Sequence, residues 1–160
     1  MKNFIVSKIL HKINRQRLFK RLADVWPKES FENSCILLKG GSENNRYATD
    51  TQFSPFRQES YFQWLFGVTV PSFYGMLLLQ EEKSILFTDK KDPSYEVWQG
   101  KIKTIEEIKL EHFVDDVYYN EQIKEIINKN NVTKIFILNE KQLPNMFFTK
   151  DQVQALTGYN

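Results

Sequence analysis

The chain has 160 residues, 41% of them hydrophobic and 26% charged, with 13 Phe, 7 Tyr and 3 Trp. A domain of this length buries roughly 68–70% of the surface its unfolded chain exposes, enough for one aromatic-rich core. Its 22 basic and 20 acidic residues leave a formal net charge of +2, which excludes the broad positive field that phosphate-backbone binding requires. No apolar run approaches the roughly 20 residues that cross a bilayer. The single cysteine, Cys35, has no internal partner for a disulfide; in an apolar run it reads as a small buried hydrophobe of a reducing compartment.

Ile9, Ile13, Leu18, Leu22 and Trp26 recur at near-helical spacing, which predicts an amphipathic helix from about Ser7 to Val25, stopped by Pro27, with its apolar stripe on a sheet. Cys35 to Leu38 reads as a buried central strand closed by a turn at Gly40-Gly41. Ser54 followed by Pro55 predicts a helix start, with the hydroxyl capping free amides and proline in the first turn. Gly67 supplies the stop, and Phe62, Trp64, Leu65 and Phe66 on this helix are expected in the core.

Phe73 to Gln80, a polar turn at Glu81-Glu82-Lys83, and Ser84 to Thr88 predict an antiparallel hairpin. Asp92-Pro93 can open a short helix carrying Trp98. Thr104 with Glu107 has the spacing of a capping box. Val114 to Tyr119 is a strand candidate, Asn120 a cap for a helix with Ile123, Ile126 and Ile127 on one face, and Lys134 to Leu138 a further strand. This order predicts an α/β fold: a three-layer sandwich whose mixed, mostly parallel sheet contains one antiparallel hairpin and carries helices on both faces. There is no internal repeat or second domain, and from Asn145 onward periodicity fades, as in the start of a linker.

The chemistry is sparse. His11 and His112 are the only histidines, and neither has the spacing of a metal cage. Asp115 and Asp116 alternate faces on a strand and read as solvated or capping groups, and His112 as a surface or helix-end residue. There is no Gly-x-Ser-x-Gly elbow. Gly40-Gly41 lacks the further residues of a phosphate-binding loop and is read as a turn.

Gly40-Gly41, Arg46-Tyr47, Thr49-Asp50-Thr51, Phe56-Arg57-Gln58-Glu59-Ser60-Tyr61-Phe62, Phe66-Gly67-Val68, Tyr74-Gly75 and Val97-Trp98-Gln99-Gly100-Lys101-Ile102 follow one another in this order. The set resembles the N-terminal domain of prolidases, the Xaa-Pro dipeptidases of the pita-bread metallopeptidase superfamily that also holds aminopeptidase P and creatinase. Asn14-Arg15-Gln16-Arg17-Leu18 matches that family's first helix. This weighs against reading the acid-poor start of the chain, where eight Lys, Arg and His residues precede Asp24, as an organelle transit peptide. A cytoplasmic location is expected.

The resemblance implies a ribonuclease H-like sheet over residues 13–140, with residues 1–12 an N-terminal extension and 141–160 the start of a linker to a catalytic domain outside this chain. That domain would hold two divalent metal ions, manganese as a rule, and hydrolyse the imide bond of Xaa-Pro dipeptides. No metal ligand or catalytic residue is assigned to this chain, which alone is expected to be inactive. Trp98 matches the tryptophan that lines the substrate site in the assembled homodimer, its rigid indole face suited to a proline ring, with Gly100 letting the backbone turn away. Gly40, Gly41, Arg46, Asp50, Arg57, Gln58, Glu59 and Gly67 are read as structural, Arg57 tying the loop to Glu59 and Asp50 through charge-assisted hydrogen bonds. A Xaa-Pro aminopeptidase domain is the nearest alternative, because Pro55 before Phe56-Arg57-Gln58 also resembles the aminopeptidases; a stand-alone interaction module, as in noncatalytic relatives of the superfamily, is the other.

Overall fold

A computed structural model describes residues 7–42, 56–90, 101–138 and 153–155. Arg46, Asp50, Ser54, Pro55, Trp98, Gly100 and the helix expected at Asp92-Pro93 lie outside them. The described elements, in order, are α1 (Ile9–Val25), β1 (Ser34–Lys39), α2 (Ser60–Phe66), β2 (Tyr74–Leu78), β3 (Lys83–Thr88), α3 (Ile105–His112), β4 (Asp116–Tyr119), α4 (Ile123–Lys129), β5 (Lys134–Ile137) and β6 (Val153–Ala155).

The strands form one sheet in the order β4-β3-β2-β1-β5-β6. β2 is antiparallel to both β1 and β3, and the other three pairings are parallel, so five strands share a direction and β2 alone opposes them. The β2–β3 hairpin lies in the middle of the sheet, its turn passing through Glu82 at φ 52°. β6 comes from the stretch assigned to the linker, and the first turn of α1 from the stretch assigned to the N-terminal extension.

Continuous apolar runs are needed because both faces of the sheet are covered. Ile36, Leu38, Leu77, Leu86 and Phe136 point to one face, against Phe19 of α1, Phe62, Leu65 and Phe66 of α2 and Ile108 of α3. Cys35, Leu37, Met76, Phe87 and Ile135 alternate with them and meet Ile123, Ile126 and Ile127 of α4 on the other. The result is the three-layer α/β sandwich.

Local signals hold in part. Thr104 accepts from the Glu107 amide at 3.2 Å while the Glu107 carboxylate accepts from the Thr104 amide at 2.8 Å, so both halves of the capping box form. Gly67 ends α2 at φ 64°. The start of α2 is corrected: Phe56 to Glu59 is not helical, and the helix opens at Ser60 with Glu59 as cap, its carboxylate accepting from the amides of Tyr61 at 3.2 Å and Phe62 at 2.7 Å. An acid at that place also suits the helix dipole.

Two further expectations change. Asn120 does not cap α4; its amide nitrogen bonds other loops, and a single 3-10 turn, Asn120–Gln122, leads into the helix. Trp64 is 40% exposed, because on the short helix α2 the buried arc is already filled by Phe62, Leu65 and Phe66.

Candidate functional site

Because β1, β3, β4, β5 and β6 run the same way, their carboxyl ends and the start of β2 lie at one end of the sheet. Lys39 faces Tyr74, Tyr74 faces Phe87, and Thr88 faces Tyr119 across the ladders. Open α/β sheets bind ligands at this end.

Here the Gly40-Gly41 turn and the Phe56-Arg57-Gln58-Glu59 motif form one unit. The Gly40 amide donates to the Phe73 carbonyl at 2.8 Å, and the Ser72 amide to the Gly41 carbonyl at 3.1 Å. Gln58 closes the loop: its Oε1 accepts from the amides of Gly41 at 2.5 Å and Glu59 at 3.0 Å, and its Nε2 donates to the Val70 carbonyl at 2.9 Å. A Cβ on Gly40 would stand 2.9 Å from the Phe73 oxygen and one on Gly41 3.0 Å from the Phe56 ring. Both positions are glycine because other chain segments occupy the side-chain space.

Arg57 precedes the helix and is exposed. It makes no ion pair among the described residues, and the expected partner Glu59 is engaged by the amides of α2; the pairing is therefore corrected, while Asp50 lies outside the described residues. Beside this loop, Asn120 Nδ2 donates to the Ser72 carbonyl at 3.1 Å and to Asp89 Oδ1 at 2.5 Å. Burial raises the Tyr74 pKa, and the charge of Asp89 raises it further.

At the side of the sandwich lies a cluster that sequence reading missed. The last carbonyls of α2 carry the negative end of the helix dipole and lack intrahelical donors. They are met by groups from other helices: Trp64 O by His11 Nδ1 at 3.0 Å and Asn14 Nδ2 at 2.9 Å, Leu65 O by Arg15 at 2.7 Å, Phe66 O by His112 Nδ1 at 2.8 Å, and Gly67 O by Lys8 at 2.8 Å. Arg15 is 2% exposed. It also donates to the carbonyls of His112 and Phe113 at the end of α3 and lies 5.5 Å from the Phe66 ring centre.

Burial lowers the Arg15 pKa to about 10, with Asp115 opposing the shift, so the guanidinium stays charged at neutral pH. Burial, with Lys8 adding to it, lowers that of His112 to about 4. His112 is indeed a helix-end residue, but a buried one, 6% exposed. The polar spacing His11, Asn14, Arg15 marks one helical face. Reading only the apolar stripe hid it, and Ile9 and Ile13 of that stripe face solvent.

Among the described residues no group of three His, Cys, Asp or Glu side chains could hold a metal ion. Asp115 accepts from the Ser84 amide and hydroxyl, each at 2.8 Å, and Asp116 pairs with Lys109 at 3.3 Å. Both carboxylates are thus committed to structure. Cys35 is fully buried and its thiol pKa is pushed up by that burial, the reverse of what a nucleophile needs.

Comparison with known proteins gives this unit its lineage. A family model described as "Aminopeptidase P, N-terminal domain" matches residues 11–136. The Xaa-Pro dipeptidases of Homo sapiens and Rattus norvegicus are each 39% identical over 129 residues, covering 81% of this chain and 26% of their own length. A Xaa-Pro aminopeptidase of Haemophilus influenzae is 32% identical, covering 71% of this chain and 30% of its own. Solved structures share the fold: Escherichia coli aminopeptidase P superposes with a TM-score of 0.68 at 18% identity, over 86% of this chain and 30% of that one. The Pseudomonas aeruginosa aminopeptidase gives 0.67 at 22%, over 84% and 29%. The chain spans about a quarter of the length of the dipeptidases it matches. It belongs to the prolidase and aminopeptidase P family, as an N-terminal domain of that family.

Proposed function

We propose that this domain is the noncatalytic front part of a Xaa-Pro dipeptidase, a metallopeptidase that cleaves the imide bond before a C-terminal proline. The observation that carries the reading is the 39% identity to the N-terminal quarter of mammalian Xaa-Pro dipeptidases. In this reading the two divalent ions, manganese by family habit, are bound by residues outside this chain; among its described residues no three His, Cys, Asp or Glu side chains come together as a metal site would need. The domain shapes the substrate site from the carboxyl end of its sheet, with Trp98 as a wall residue, and supports a homodimer in the cytoplasm. A tertiary imide has no N–H to offer, so a pocket built to receive that donor would be left with an unpaired group. Specialised walls of this kind are what an accessory domain can supply.

The test is a chimera in which this chain replaces the matching N-terminal segment of the human enzyme. With manganese, the chimera is expected to hydrolyse glycyl-proline, and the Trp98→Ala form to do so with a raised KM; the 160-residue chain alone is expected to be inert. A folded chimera without activity, or turnover by the purified chain alone, refutes the reading.

A further inference from the structure

The two halves of α1 are held by different forces. In the C-terminal half, Leu18, Phe19, Leu22 and Trp26, the residue just after the helix, pack on the core. In the N-terminal half, Ile9, Leu10 and Ile13 are 49%, 41% and 37% exposed. The groups turned inward there are Lys8, His11, Asn14 and Arg15, bonded to backbone carbonyls of α2 and α3. A segment with few buried apolar contacts opens at lower free energy than the core.

His112 lies under this half-helix. Its Nδ1 faces the Phe66 carbonyl, which cannot donate, so Nδ1 carries the proton and the neutral ring leaves Nε2 bare. From the α1 side the neighbouring charges are Lys8 and Arg15, the latter bonded to the carbonyl of His112 itself at 3.2 Å. From its own segment come Glu111 and Lys103, and α2 presents the Phe66 carbonyl. Glu111, the one acid among them, is already shared by Lys8 at 3.4 Å and Lys103 at 2.5 Å; Asp115 faces Arg15. A second proton would thus charge a largely buried ring that has Lys8 and Lys103 as neighbouring cations and, as its one acid, a Glu111 already shared between them.

We propose that the N-terminal half of α1 with its cap Lys8, as far as Arg15, is an acid-released latch: protonation of the buried His112 ring repels Lys8 and frees this half-helix from α2 and α3, while Leu18 to Trp26 stay on the sheet. The inference stands apart from the peptidase reading. The direction follows from linkage. The latched form holds the His112 pKa at about 4 against the ordinary 6.5, and the open form titrates at the ordinary value. Opening is therefore independent of pH above about 6.5, grows up to about tenfold per pH unit below it, and levels off below about 4.

Amide hydrogen exchange of the whole chain, corrected for intrinsic rates, tests this. Between pH 6 and 5 the amides of Lys12 to Arg15 should lose protection about sevenfold through an opening insensitive to urea, while those of Ile36 to Leu38, far better protected, exchange only by urea-sensitive global unfolding. Because global unfolding also restores the ordinary His112 pKa, both sets respond to pH; equal protection and equal urea sensitivity of the two sets, or a pH-independent protection at Lys12 to Arg15, overturns the latch. His112→Gln keeps a donor for the Phe66 carbonyl but takes up no proton, so it should flatten the response. An unchanged slope in His112→Gln overturns the proposal. Should that variant fail to fold, the wild-type chain decides: a His112 ring midpoint near 4 with protection at Lys12 to Arg15 falling between about pH 6.5 and 4 supports the latch, and protection that stays flat across that range refutes it.

Discussion

Replacing Gln58 by alanine probes the loop that joins the two glycines after β1 to the start of α2. The wild-type side chain bonds three backbone groups: the Gly41 amide at 2.5 Å, the Glu59 amide at 3.0 Å and the Val70 carbonyl at 2.9 Å. Each neutral bond contributes about 1 kcal/mol net, and a stranded, partly buried N–H costs about 1–3 kcal/mol, whereas the exposed Val70 carbonyl regains water. Gln58→Ala should therefore lose about 2–3 kcal/mol. Gln58→Glu keeps both acceptor contacts and loses the exposed donor, at about 1 kcal/mol. Urea unfolding followed by tryptophan fluorescence reads the difference as a shift of midpoint at constant slope; in a thermal scan roughly 2–4 °C per kcal/mol is expected at this chain length. An alanine variant within about 0.5 kcal/mol of wild type, or a glutamate variant as damaged as the alanine one, would show that the amide oxygen is not the clamp.

Gly75→Ala should destabilise the fold by about 1–3 kcal/mol, because a Cβ there would stand 2.2 Å from the fully buried Phe66 ring; part of the loss should return in Gly75→Ala/Phe66→Leu, and simple additivity in the double variant would refute the contact. Arg15→Met removes charge-assisted bonds to the carbonyls of Leu65, His112 and Phe113, for an expected loss of about 3–5 kcal/mol in chemical denaturation; a loss below about 1 kcal/mol would refute the assignment. Cys35 is 0% exposed with its thiol pKa raised by burial, so a thiol reagent at pH 8 should label it only after unfolding. Stoichiometric labelling of the native chain within minutes would contradict that burial.

The alternation of apolar runs and helical spacing was enough to place β1, the β2–β3 hairpin, α3 with its capping box, and the Ile123, Ile126, Ile127 face of α4. In each case a local rule and the final burial agree: strands covered on both faces must be apolar throughout, and a Thr–Glu pair three apart caps whatever helix follows. The ordered motifs from Gly40 to Gly100 also carried the family. What local rules could not supply was the choice among donors. Ser54-Pro55 reads as a helix start, yet Glu59 caps α2, because Gln58 ties the preceding residues into the loop at Gly41 and holds them out of the helix.

The face of α1 was misjudged for a related reason. A stripe of Ile9 and Ile13 is the better hydrophobic signal, but the helix lies across the carboxyl end of α2, whose carbonyls need donors, and Asn14 and Arg15 are buried there instead. The cost of leaving those carbonyls unpaired exceeds the gain of burying two aliphatic side chains. Similarly, a histidine before Phe113 reads as a surface group until the end of α3 is brought against the end of α2. The chain by itself determined most of the elements, the mixed character of the sheet and the lineage, since these rest on periodicity and on short-range chemistry, but not β6 or the start of α2. Which polar groups are buried, and so which residues couple the helices and respond to pH, was decided only when three helix ends met in space, because the value of a donor depends on the acceptor placed opposite it.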